Sequence, residues 1–292
     1  MIPFELAEPT TLASAVRLLD PGDETIRPIA GGTALMLMMK AGVFRPAKLV
    51  SLRKIESDYT AITPDARGLT IGAMTTLSDL EHSAAICAHT PLITQTLLTL
   101  SNVRVRNVAT VGGALAHGDP HMDLPPVLMA LEASLTVAGP HGERSLPVED
   151  LFTGYYETVL ALDELIALVH VPAQKSKQAA YLKVTTGAVD DWPALGIAVV
   201  IVSDADIVRS ARIVASAATE KATRLTSAEA VLKGNRVEDK LLRRAAEAAV
   251  EEVEFVSDLR GSAPYKRELM RVYVQRAVRA ALDESGGADG SD

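Results

Sequence analysis

The sequence predicts an α+β fold, and three observations carry that prediction. Short apolar runs alternate with short helical patterns through the first half. A succession of β-like runs then fills 180–215, and everything from 227 onward has helical spacing. Strands first and helices last make the second half an α+β unit in its own right.

Taken in order, 11–19 places Leu12, Ala15, Val16 and Leu19 at helical spacing before a Pro21-Gly22 stop. The apolar run 27–30 ends in Gly31-Gly32, a Met/Leu-rich helical segment covers 33–41, and 48–52 reads as a strand. Strands are predicted at 59–63 and 69–73, with Pro64-Asp65 as the turn signal between them. Helices follow at 76–82, 91–100 and 124–131, and then a hairpin, 135–138 with 144–146, across Gly139-Pro140-His141-Gly142-Glu143. The β-run 165–171 stops at Pro172, and the polar stretch 173–178 marks a boundary. Strands at 180–185, 194–202 and 208–215 precede helices at 227–233, 237–253 and 263–282. The Gly/Ser/Asp-rich end, 285–292, reads as a disordered tail.

Composition narrows the function. The 292 residues carry a net charge of −8, which opposes sequence-blind binding to nucleic acid or to an anionic membrane. A single cysteine, Cys87, excludes an intrachain disulfide and a four-cysteine iron–sulfur or zinc site built by this chain alone. Cys87 follows a helix-like run and reads as buried and inert. The start has no basic region leading into a long apolar run, and no stretch is long and apolar enough for a transmembrane helix. The expectation is a cytoplasmic protein without a membrane span.

Two glycine pairs stand out. Ile29-Ala30-Gly31-Gly32-Thr33-Ala34 sets two glycines and a hydroxyl between an apolar run and a helical segment. Glycines let the backbone approach a ligand with its N–H groups exposed, and Thr33 is placed to cap the helix or to bond a phosphate oxygen. Thr110-Val111-Gly112-Gly113-Ala114 repeats the pattern. Neither pair carries a P-loop lysine, and no G-x-G-x-x-G occurs. Beyond the second pair, Asp123 has two compatible readings: acceptor for ribose hydroxyls or an adenine amine, and N-cap of the helix starting at Leu124. His117 and His121 have metal-ligand spacing, but Gly118 and Pro120 between them oppose a helix, and no third ligand is evident. Trp192, the single tryptophan, is either a core residue or a flat lid over a ring.

Three segments, AGGTA at 30–34, VRNVATVGGALAHGDPHMDLPPVLMALEA at 105–133 and RGSAPYKRELMRVYVQRAV at 260–278, resemble the FAD-binding medium subunits of molybdenum hydroxylases. That family includes the carbon monoxide dehydrogenase medium chain and the flavin domain of xanthine dehydrogenase. The resemblance implies a two-part FAD-binding domain of the vanillyl-alcohol-oxidase type, followed by a smaller α/β C-terminal domain. The implied divisions are 1–55, 56–173 and 178–284. It implies that Ala30, Gly31, Gly32, Thr33, Ala34, Leu35 and Met36, with Thr110, Gly112, Gly113 and Ala114, wrap the FAD pyrophosphate. Asp123 falls on the carboxylate that holds the adenosine part. Ile166 falls on an apolar flavin-pocket position, Lys183 on a lysine near the flavin ring, and Asp190-Asp191-Trp192 on the isoalloxazine neighbourhood. Leu100 matches a position often aromatic in xanthine dehydrogenases. The chain departs from the family pattern at Val108, at Ala114, and at Gly187 and Ala188, where an arginine is frequent.

The implied role is electron transfer on FAD, with no general base nominated. Electrons would arrive from a small subunit holding two [2Fe–2S] clusters, within a dimer of heterotrimers whose large subunit holds the molybdenum cofactor. They would leave to NAD, quinone or dioxygen. A stand-alone FAD oxidoreductase and a flavin-free scaffold subunit are the alternatives. At the C-terminus, 247–258 is acidic and 260–279 is basic. Either the two stretches neutralise each other or the basic helix docks an acidic partner surface.

Overall fold

The computed structural model describes residues 3–174, 177–204 and 207–283. The expected tail at 285–292 lies outside the described residues. Strands β1 (Glu5–Ala7), β2 (Ile26–Ile29) and β3 (Lys48–Ser51) form a parallel sheet in the order β1-β3-β2. Parallel neighbours need crossovers. Helix α1 (Leu12–Arg17) supplies one and α2 (Leu35–Lys40) the other. Thr11 starts α1 with a reciprocal cap, its hydroxyl accepting the Ser14 N–H at 3.1 Å.

The second sheet is antiparallel, in the order β4-β5-β10-β6-β7. Strands β4 (Ile62–Asp65) and β5 (Gly68–Gly72) open it, and five short helices follow. These are α3 (Leu77–His82), α4 (Ala84–His89), α5 (Pro91–Thr99), α6 (Val103–Arg106) and α7 (Val111–Ala116). Then come α8 (Leu124–Ala130), β6 (Ser134–Gly139), β7 (Gly142–Pro147), the small pair β8 (Phe152–Gly154) and β9 (Glu157–Thr158), and β10 (Leu165–Pro172).

The expected strand at 59–63 is instead a 3₁₀ turn over Ser57–Thr60 followed by β4. Tyr59 has to cross over Gly72, where its carbonyl accepts the Met74 N–H at 2.7 Å. Pro64-Asp65 lies within β4, a sheet edge that tolerates a proline. The reversal falls one step later, where the Asp65 carboxylate accepts the N–H groups of Arg67 and Gly68.

The third sheet is an antiparallel meander of β11 (Gln178–Val184), β12 (Leu195–Asp204), β13 (Ile207–Ser216) and β14 (Thr223–Arg224). Helices α9 (Thr226–Leu232), α10 (Asp239–Glu252) and α11 (Ala263–Asp283) follow. Both faces of β12 are covered: Ile197, Val199 and Ile201 pack with α10 and α11, while Ala198 and Val200 join the core that contains α8. That explains why β12 reads as a continuous apolar run and why all of α8 is buried. Alternation along β11 points Ala180, Leu182 and Val184 at the helices. Tyr181 and Lys183 therefore face the other way, onto the middle of the molecule, and this register builds the site.

The two charged C-terminal stretches answer each other within the chain. Arg271 bonds Glu247 at 2.7 Å as well as Glu268, Arg279 bonds Asp239 at 2.8 Å, and Lys266 bonds Asp258 at 2.5 Å. Arg267 and Arg276 lie over the rings of Phe255 and Tyr273. Among the described residues, no helix is long and apolar enough to cross a membrane.

Candidate functional site

The two glycine pairs come together. A Cβ on Gly31 would lie 1.8 Å from the Val108 carbonyl oxygen, and one on Gly113 would lie 3.8 Å from the Ala30 Cβ. At Gly31 only glycine lets the two backbones pass at that separation, whereas a Cβ on Gly113 would be in ordinary contact with Ala30. Gly32 adds a φ of +72°, in the left-handed region. The segments differ in what their amides do. Among the described residues, none of the backbone N–H groups of 31–35 has a hydrogen-bond partner. Helix α2 begins only at Leu35, with Ala34 before it and no side-chain cap, so Thr33 does not cap the helix.

In the second segment the amides of 111–114 are all engaged. Gly112 donates to the Ala73 carbonyl at 2.8 Å, Val111 to Thr75 at 3.0 Å, and Ala114 to Thr110 at 2.9 Å. Gly113 donates to the Thr110 hydroxyl at 3.2 Å, which makes Thr110 the side-chain cap of α7. Ala73 in turn donates to the Ala167 carbonyl at 2.9 Å, tying this segment to β10 one residue past Ile166. Ile166 is buried beside a bulge in β10.

Asp123 does not cap α8. Its backbone is already helical and its side chain makes no capping bond. The carboxylate instead accepts the Tyr181 hydroxyl at 2.6 Å and the Lys183 ammonium at 2.9 Å. Burial pushes the Asp123 carboxyl up, opposed by Lys183 and by the Tyr181 hydrogen bond. Tyr181 is driven well up by its own burial and by Asp123. Lys183 also donates to the Thr99 carbonyl at 3.0 Å, which sets it beside Leu100 at the end of α5. The turn after Leu100 is held by Arg106, which donates to the carbonyls of Leu100 at 3.1 Å and Ser101 at 2.6 Å and to Glu81 at 2.8 Å. Tyr181, Arg106 and the Thr99 carbonyl carried no signal in the sequence, because each acts across a tertiary contact.

Trp192 is not a core residue: it is 44% exposed and lies flat on His121, with ring centroids 5.7 Å apart and planes at 23°. Asp191, beside it, is held by Arg260 at 2.8 Å. Asp190 is exposed. His121 bonds Asp119 at 2.9 Å and Asp258 at 2.8 Å. Among the described residues, no group of three or more His, Cys, Asp or Glu side chains is arranged to hold a metal ion. Cys87 is exposed on α4, against the expectation of burial.

The donor set suits an anionic dinucleotide. Residues 28–39 contain no charged side chain, their free amides are donors only, and Ile29, Ala30, Ala34, Leu35 and Met36 are half-exposed apolar residues beside them. Glycine-lined amides for a pyrophosphate, next to an apolar surface for rings, fit FAD.

Comparison with known proteins agrees. Residues 2–174 match the FAD binding domain in molybdopterin dehydrogenase, and residues 180–281 match the CO dehydrogenase flavoprotein C-terminal domain. The carbon monoxide dehydrogenase medium chain of Hydrogenophaga pseudoflava is 34% identical over 286 residues, spanning 96% of this chain and 98% of that one. The nicotine 6-hydroxylase medium subunit of Paenarthrobacter nicotinovorans is 30% identical, with 96% of each chain covered. The solved carbon monoxide dehydrogenase of Hydrogenophaga pseudoflava has a chain that superposes with a TM-score of 0.92, covering 97% of this chain and 99% of that chain at 34% identity.

The protein is thus an FAD-binding flavoprotein, part of an oxidoreductase. It belongs to the family of FAD-binding medium subunits of molybdenum hydroxylases.

Proposed function

We propose that this chain accepts electrons from a small [2Fe–2S] subunit and hands them to an external acceptor, in a complex whose large subunit holds the molybdenum cofactor. That complex is a dimer of heterotrimers in the cytoplasm. When bound, FAD supplies the capacity to store an electron pair and release it singly or together. Every other task falls to the chain's own residues. The free amides of 31–35 hold the pyrophosphate, with Thr33 offering a hydroxyl and Met36 closing the segment. Thr110, Gly112, Gly113 and Ala114 form the wall that keeps those amides in place. Ile166 and Leu100 line the apolar side of the pocket, and Trp192 lies at the isoalloxazine. Asp123 holds the Lys183 ammonium toward the flavin, and the pocket lies where the units 1–55, 56–173 and 178–284 meet.

The observation that carries this reading is the row of unpartnered amides at 31–35, held against the second glycine segment. Its test is the absorption spectrum of the purified chain titrated with FAD, for the wild type and for Gly31→Val. The flavin bands should be perturbed and saturate with wild-type protein and stay those of free FAD with the variant. Equal binding by both removes the amide row from the site. Co-expression with the large and small subunits, followed by copurification, tests the assembly.

A further inference from the structure

Trp192 is held from outside its own loop. Residues 185–194 join β11 to β12, and two side chains moor them: Arg260 on Asp191 and His121 beneath the indole. Both moorings lead to one turn. Asp258 Oδ2 accepts from His121 Nε2 at 2.8 Å and from Lys266 Nζ at 2.5 Å, while Asp258 Oδ1 accepts the Arg260 N–H at 2.7 Å. Lys266 is 0% exposed and also donates to the Ala217 carbonyl at 2.7 Å, so the turn is fixed from below.

The chemistry of His121 follows from its partners. Each ring nitrogen faces a carboxylate oxygen, Asp119 on one side and Asp258 on the other, and an ionised carboxylate only accepts. Asp258 is held ionised: burial raises its carboxyl, but Lys266, His121 and the Arg260 N–H outweigh that and bring it below its ordinary value. With both carboxylates ionised, both nitrogens of His121 carry protons, and the ring under Trp192 is a cation stacked on an indole.

We propose that His121 is a positioning residue for Trp192: as an imidazolium clamped between Asp119 and Asp258, it holds the indole at the flavin, and it releases the indole on losing its proton. The proposal rests on the reading that places Trp192 at the isoalloxazine. The groups facing His121 set the direction of the pH dependence. They are Asp119, Asp258 with Lys266 and Arg260 behind it, and Tyr155 edge-on at 6.3 Å; Tyr156 packs on Tyr155. Burial alone lowers the His121 value, but the hydrogen bonds and charges of Asp119 and Asp258 outweigh it and raise the value above 6.5. The clamp is thus complete just below 6.5 and is lost as pH rises through the raised value.

Because Trp192 is the single tryptophan, indole emission from the full chain reports the surroundings of this residue alone. A protonated imidazole quenches a stacked indole. Wild-type emission should rise in one protonic step with a midpoint above 6.5, and His121→Gln should abolish the step. A step that persists in His121→Gln, or a flat wild-type titration, overturns the clamp. Should His121→Gln fail to fold, the imidazole ¹⁵N shifts of the wild type carry the test. Two protonated nitrogens just below pH 6.5 support the clamp, and a neutral tautomer there overturns it. In the FAD-loaded chain, the flavin bands should shift with the same midpoint as the indole. An indole step that the flavin bands ignore overturns the placement of Trp192 at the flavin, and with it the positioning role.

Discussion

Residues 29–34 and 110–114 share a pattern, an apolar approach, two glycines and a small residue, yet their backbones are used in opposite ways. In the first, the amides of 31–35 are unpartnered and the neighbouring side chains are half-exposed. In the second, every amide from Val111 to Ala114 is satisfied by Ala73, Thr75 or Thr110, and Gly112 is buried so closely that a Cβ would stand 2.7 Å from the Ala73 Cβ. The segment continues inward to Asp123, whose carboxylate is taken by Tyr181 and Lys183. One glycine pair leaves its amides free and the other spends them on its neighbours. The same local grammar serves both because glycine answers two needs, exposed amides and close packing.

The comparison breaks if changes in the second segment cost flavin affinity and leave stability untouched. The largest effect is expected at Asp123. Asp123→Ala leaves the Lys183 ammonium buried without its carboxylate and should lower unfolding stability by about 3–5 kcal/mol. Pairing it with Lys183→Met should recover much of that loss in a denaturant double-mutant cycle. Next comes Gly31→Ala. The Cβ cannot coexist with the Val108 carbonyl, so the loop must move off the second segment. FAD affinity should fall by about 100-fold or more, roughly 2.7 kcal/mol, with a smaller change in melting temperature. Gly112→Ala should do the reverse: overpacking against Ala73 costs about 1–3 kcal/mol of stability, while the folded fraction keeps its FAD affinity.

The smallest effect is a pH slope. Burial lowers the His117 value, with Asp119 opposing, so its neutral form contributes stability above 6.5 that is lost as pH falls through the lowered value. His117→Asn should make the acid-side decline in urea midpoint shallower, by less than about 1 kcal/mol. His170, likewise lowered by burial, accounts for part of the remainder.

Much of the fold was legible because its signals are local. The helical spacing of Leu12, Ala15 and Val16, the hairpin at Gly139–Gly142 and the apolar run of β12 all survive into the structure. Three-residue β1, four-residue α6 and the β8–β9 pair were not legible, since elements this short carry no period. At the site, the glycine pairs were visible as a pattern and Asp123 as a resemblance. Their division of labour was not, because it depends on carbonyls at Ala73 and Thr75 and on the register of β11. Asp123 shows the limit most clearly. The sequence places it at a helix start, where a cap is the simplest local reading. The helical backbone at Asp123 and the opposing Lys183, 60 residues on, turn it to another use.

On the proposed reading, the amides of 31–35, and not those of 111–114, receive the cofactor. Amide hydrogen exchange on the full chain, stripped of flavin and then reloaded with FAD, tests it directly. Fast exchange is expected at 31–35 without FAD and strong protection with it, while 111–114 is protected in both states. Protection by FAD that appears at 111–114 and leaves 31–35 exchanging freely would contradict it.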